Sequence, residues 1–195
     1  MAECAKLNAN ITVDCDKPLQ AGTRDNMVLI NYDDWLDAVL TLNVTNEQII
    51  EGIALASGIT GYKVEGQNNS NIPKPAFVRG RYSGAFDHEV KFVAFDISPT
   101  AKAQLEKLCK GRVVAIVENA FKGTGGETSF EVYGADAGLI VPDGGLTRDP
   151  SSADTQGAYE MTLKSSELSR EAHLPATIYK TDYTTRKAIF DSLYV

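Results

Sequence analysis

RVVAIVENA (residues 112–120), SFEVYGADAGLIV (129–141) and GAYEMTLKS (157–165) lie within one stretch, and how these three runs are read decides the fold. The first is apolar on both faces, as expected of a strand that is central or covered. The second and third alternate. Phe130 and Val132 oppose Glu131 and Tyr133, while Tyr159, Met161 and Leu163 oppose Ala158, Glu160, Thr162 and Lys164. A side-chain period of two predicts a sheet with one buried and one wet face. Glycines at 123, 125 and 126 read as a hairpin turn between the first two runs, and a loop rich in Asp, Gly, Pro and Ser precedes the third. The wet face carries no clustered nucleophile, acid–base pair or metal-ligand set, which points to a surface that is touched rather than a reactive centre.

Upstream of this stretch, SPTAKAQLEKLCKG (98–111) holds the best helix signal in the chain. Ser98 suits the N-cap and Pro99 the first helical position. Lys107 and Lys110 suit the negative end of the dipole, and Gly111 is read as the stop. AFDHEVKFVAFDI (85–97) is an alternating strand, with Phe86, His88, Val90, Phe92 and Ala94 on one face. Its other face begins with Asp87, Glu89 and Lys91. Residues 68–84 hold two prolines, three asparagines and three basic residues with little apolar periodicity. They read as a surface loop, or as an extended loop or hairpin that contacts a neighbouring subunit through its positive charge.

Nearer the start, LNANITVDC (7–15), MVLINYDDW (27–35) and AVLTLNV (38–44) are strand candidates. EQIIEGIAL (47–55) fits either a helix face or a strand, and Gly52 with the β-branched residues favours strand. At the other end, residues 181–195 read as a short helix capped near Thr181 or Asp182. Tyr183, Arg186, Ile189, Phe190 and Leu193 would share one side of it. The expected class is mainly β, a β-sandwich or small barrel with one internal helix and a short C-terminal helix. One domain would span residues 1–195, with an N-terminal arm at 1–23, the long loop at 68–84 and the C-terminal segment at 181–195.

A net charge of −7 disfavours tight wrapping of nucleic acid, which needs clustered Lys and Arg. No apolar run approaches the length of a transmembrane helix, so no membrane partner is expected. The N-terminus lacks the apolar core of an export signal, and synthesis in the cytosol without export is the default expectation. Cys4, Cys15 and Cys109 have no CxxC spacing and read as reduced thiols, although a hairpin would let Cys4 and Cys15 pair.

The residues that could carry chemistry fall short of doing so. His88 has Asp87 and Glu89 beside it, but neighbours on a strand point to the opposite face, so a structural or exposed histidine is expected. His173 reads as a solvated loop histidine. Gly123-Thr124-Gly125-Gly126 lacks the Lys-Ser/Thr ending of a phosphate loop. Asp33, Asp34 and Asp37, like the acids at 149–154, lack calcium-loop spacing. Neither catalysis nor a cofactor or metal is therefore expected.

The run VVAIVENAFKG…SFEVYGADAGLIV…TRDPSSADTQGAYEMTLKSSE resembles the C-terminal half of phage major tail tube proteins over residues 97–166. The Gly134 turn with Asp136-Ala137-Gly138-Leu139, the Gly-Ala-Tyr strand and the preceding helix carry the likeness. The resemblance implies a virion structural protein, assembled in the host cytoplasm into hexameric rings. Those rings stack around a tape-measure protein into a tail tube, meet terminator and baseplate or hub proteins, and pass DNA through the lumen during ejection. On this reading Asp87, Glu89, Glu131 and Glu160 include lumen-facing groups, against the plainer reading of ordinary solvent-facing acids. Lys74, Phe77, Arg79, Arg81 and Tyr82 belong to an inter-subunit loop, and the two terminal segments join it in ring-to-ring contacts. The rival readings are another phage tail or contractile-injection component on the same fold, and a monomeric carbohydrate- or ligand-binding sandwich. The latter would use Tyr62, Tyr82, Tyr133 and Tyr159 as exposed aromatics.

Overall fold

The Val-rich run forms strand β7 (Val113–Asn119), and its first six residues are all buried. In a computed structural model of the chain, which describes residues 11, 19–80, 84–123 and 125–194, this strand has partners on both edges. One edge pairs with β1 (Thr23–Asn31), and the other with β8 (Phe130–Tyr133) and the two-residue β9 (Leu139–Ile140). From β8 the sheet continues through β12 (Ala176–Ile178) and β3 (Ile49–Ala54) to β2 (Val39–Leu42). β4 (Tyr62–Glu65) adds to the outer edge of β1. In the other direction β9 also pairs with β11 (Tyr159–Ser165), which leads to β6 (Gly84–Ala94) and β5 (Ile72–Arg79). β10 (Leu146–Arg148) pairs with β11 alone. Among the described residues these twelve strands form one sheet, antiparallel except where β12 meets β3.

The two limbs of this sheet face each other. Met27, Leu29, Ala115, Val117 and Tyr133 from one limb share a core with Val90, Phe92, Met161 and Leu163 from the other. The path stays open from β2 to β5, so this is a sandwich made from one folded sheet, and the barrel alternative falls away. A second core lies on the far face of the first limb, where Val28, Ile30, Val114, Ile116, Phe130 and Val132 meet Trp35, Phe190 and Leu193. The first limb is therefore covered on both sides, which explains why β7 reads as unbroken apolar sequence. It also corrects the expectation of a wet face on β8, because Phe130 and Val132 fill one core while Tyr133 enters the other.

Both expected helices are present, and a third appears. α2 (Pro99–Leu108) is capped by the Ser98 hydroxyl, which accepts from the Ala101 N–H at 3.2 Å. It gives way to a turn at Cys109, before Gly111. α3 (Tyr183–Ser192) is capped by Asp182, whose carboxylate accepts from the Thr185 N–H at 2.9 Å. Its buried side is part of the second core, so the C-terminal segment is packed structure rather than a free arm. Arg186 is buried there too, its guanidinium 4.0 Å from the Tyr179 ring centre and, among the described residues, without a hydrogen-bond acceptor. The ring face supplies its electrostatic compensation.

The third helix, α1 (Tyr32–Leu36), takes the end of the run expected to be strand. The Tyr32 N–H donates to the Arg112 carbonyl and the chain then turns. Asp33 and Asp34 suit the first turn of a helix, and Trp35 is drawn into the second core.

Within the expected loop at 68–84, most of the described residues form regular structure. Ile72–Arg79 pairs with β6 over eight residues, so the hairpin alternative holds. Pro73 and Pro75 face Val90 and His88 in this ladder. The His88 N–H points instead to the Ser165 hydroxyl on the β11 side, at 3.0 Å. The prolines thus occupy positions that need no donor towards β6, and they leave the outer edge without N–H groups there. The strand expected at 7–13, the Cys4 and Cys15 pair, and most of the N-terminal arm lie outside the described residues.

Candidate functional site

Three of the four acids expected in a lumen come together and one does not. Asp87 and Glu89 on β6 share the outer face of the second limb with Glu160 on β11. Glu131 stands on β8 in the other limb, half-buried, with its carboxylate accepting from the Tyr133 hydroxyl at 2.6 Å. The shared face is also not acidic as a whole. Lys74, Glu89 and Lys164 form a row across β5, β6 and β11. Asp87 pairs with Arg170 at 2.7 Å and Lys164 at 3.6 Å, and Lys91 sits 3.7 Å from Glu89. The cross-strand register places a base beside each acid of β6, so the wall is charge-balanced.

Of the residues assigned to the inter-subunit loop, Lys74, Phe77 and Arg79 are exposed on β5, while Arg81 and Tyr82 lie outside the described residues. Phe77 packs edge-on against Phe86 at 5.4 Å between ring centres. Its ring lies so close over Gly84 that a Cβ there would collide with it. Glycine at 84 is therefore what lets the aromatic pair close the hairpin.

The most built-up polar site was not legible as a site. The turn at 134–138, with Gly134 and Gly138 at φ of +80 and +73, is gripped by four side chains from three separate segments. Glu171, buried at 1% exposure, accepts from the Asp136 and Ala137 N–H groups at 2.8 and 3.0 Å. The Trp35 indole donates to the Ala135 carbonyl at 3.1 Å, and the Tyr32 hydroxyl donates to that of Asp136. His88 accepts from the Gly134 N–H through Nδ1 at 3.1 Å, which assigns its proton to Nε2, 3.0 Å from the His173 carbonyl. The glycines marked the turn in the sequence, but nothing marked Glu171, 35 residues further on. Beside this turn opens a cleft of about 160 Å³, lined by Trp35, Leu40, Leu42, Leu174 and the acids Glu47, Asp136 and Glu171.

His88 is thus the buried structural histidine the strand alternation pointed to, and His173 is exposed in its loop. Burial lowers the His88 pKa below the ordinary 6.5, against the raising effect of its bond to the His173 carbonyl. Its stabilising contribution is therefore complete above 6.5 and is lost as the pH falls through the lower folded value. The variant His88→Gln is expected to flatten the fall in urea midpoint between pH 7 and pH 5, and an unchanged slope would reject this assignment.

Among the described residues no group of three or more His, Cys, Asp or Glu is placed to hold a metal ion, and no helix is long and apolar enough to cross a membrane. The aromatics of the carbohydrate reading do not form a platform. Tyr62 is exposed, but Tyr133 is buried and Tyr159 lies half-buried near the Arg148 guanidinium, while Tyr82 lies outside the described residues. The geometry defines a mainly β protein with an open, folded sheet. No family model, curated protein or solved structure matches the chain.

Proposed function

We propose that this chain is a structural virion protein that polymerises into stacked hexameric rings to form a phage tail tube, a conduit for DNA ejection. The observation that carries this reading is the open sheet, whose path ends at β2 and β5 with apolar side chains exposed on both strands. Val39 and Leu42 are 69% and 43% exposed on β2, and Ile72 and Phe77 are 55% and 56% exposed on β5. A domain that works alone blunts such edges, whereas one that must join copies of itself keeps them available. The β2 edge has no proline, so it offers backbone pairing, while the prolines of β5 direct that strand towards side-chain contact.

The resemblance over residues 97–166 supports the same assignment. The partners are then further copies of the chain, a tape-measure protein, a terminator and a baseplate or hub protein. DNA would be present only in passage. The balanced face of β5, β6 and β11 suits that passage, since two of its three lysines, Lys91 and Lys164, are already engaged by neighbouring carboxylates. Negative-stain microscopy of the purified protein at increasing concentration is expected to show rings and tubes. A particle that stays monomeric at every concentration would overturn the proposal.

A further inference from the structure

An acceptor and a donor of complementary chemistry lie on each chain, neither of them joined to the other within the chain. The acceptor is the cleft beside the 134–138 turn. Leu42 and Leu174, 43% and 51% exposed, give it an apolar rim, and Glu47, Asp136 and Glu171 give it an acidic lining with no lysine or arginine. Each Glu171 oxygen takes one backbone N–H, and among the described residues no cation pairs with it. The donor is the β5–β6 hairpin. Phe77 and Arg79 stand two residues apart, hence on the same strand face, and both are exposed. Arg79 makes no ion pair among the described residues. The ladder from Ile72↔Lys91 to Arg79↔Gly84 holds the hairpin in place, and no hydrogen bond or ion pair joins Arg79 to the cleft of its own chain.

We propose that the hairpin of one copy seats in this cleft of another copy, with the Arg79 guanidinium turned to the cleft acids and the Phe77 ring against Leu42 and Leu174. The inference rests on the self-assembly reading above and names the contact that such assembly uses. Charge complementarity selects the occupant. An apolar mouth over carboxylates favours a side chain pair of one aromatic and one cation, and desolvation in the cleft strengthens the ion pair. Arginine and aromatic anchors of this kind carry most of the energy of an interface.

The test uses two full-length variants, Arg79→Glu, which disables the hairpin, and Leu42→Arg, which places a cation of the cleft's own over its acids. Both positions are exposed, and circular dichroism with a urea midpoint checks that each variant folds. Each alone is expected to self-associate roughly thirty-fold more weakly than the wild type in sedimentation velocity. Mixed one to one, they are expected to form dimers and stop, because one intact hairpin meets one intact cleft. If either variant assembles as the wild type does, or if the mixture forms no dimer, this contact is wrong while the self-assembly reading stands. A wild type that stays monomeric overturns both.

Discussion

Replacing Phe130 with alanine is expected to destabilise the protein by about 3–5 kcal/mol, the largest effect of any single truncation considered. Phe130 has no exposed surface and lies where the sheet meets the C-terminal helix. Its ring stacks on Phe190 at 5.0 Å and on Tyr183 at 6.0 Å between centres. Removing it opens a cavity between β8 and α3 that neither neighbour can fill, because the strand is fixed by β7 and β12 and the helix by its Asp182 cap. Phe190→Ala removes the same contact from the other side, so the double variant should lose less than the sum of the two. Urea unfolding of the four proteins checks this. Additive losses would mean that the two rings do not support one another.

Glu171→Ala is expected to cost about 1–3 kcal/mol and to loosen the 134–138 turn, since it leaves two part-buried N–H groups without their acceptor. Trp35 is the single tryptophan and donates to the same turn, so its fluorescence reports the loosening directly. Glu171→Gln keeps an acceptor and should cost less. Burial raises the Glu171 carboxyl above its ordinary 4.5, against the lowering effect of its two backbone hydrogen bonds. Its contribution is then greatest below 4.5 and declines as the pH rises through the folded value, opposite in sign to that of His88. The glutamine variant should remove this decline. An alanine variant with wild-type stability and an unshifted Trp35 emission would show that the turn holds without Glu171.

The inter-copy contact and this turn share a site, which separates their readouts. Glu171 variants change folding stability as well as any association, whereas Arg79→Glu and Leu42→Arg change exposed residues alone. Loss of assembly without loss of stability is therefore the signature of the contact.

Patterns with local causes were legible from the residues. Ser98-Pro99 and Asp182 mark helix starts because a cap needs only the next three N–H groups, and α2 and α3 begin there. The alternation of 85–94 and 158–164 reports burial because neighbouring strand residues face opposite ways, and the continuous apolar run of β7 reports cover on both sides. What needed the folded chain were the facts made by distant partners. β5 is a strand, despite its prolines, because β6 supplies a ladder whose register spares their missing donors. Glu131 alternates like an exposed acid, yet the other limb covers its strand, and it parts company with Asp87, Glu89 and Glu160. The balanced charge of the outer face arises from register across three strands, and the grip on the 134–138 turn from side chains up to 104 residues away. Capping and alternation act within a few residues along the chain, whereas register, double cover and the cleft exist only once remote segments have been brought side by side.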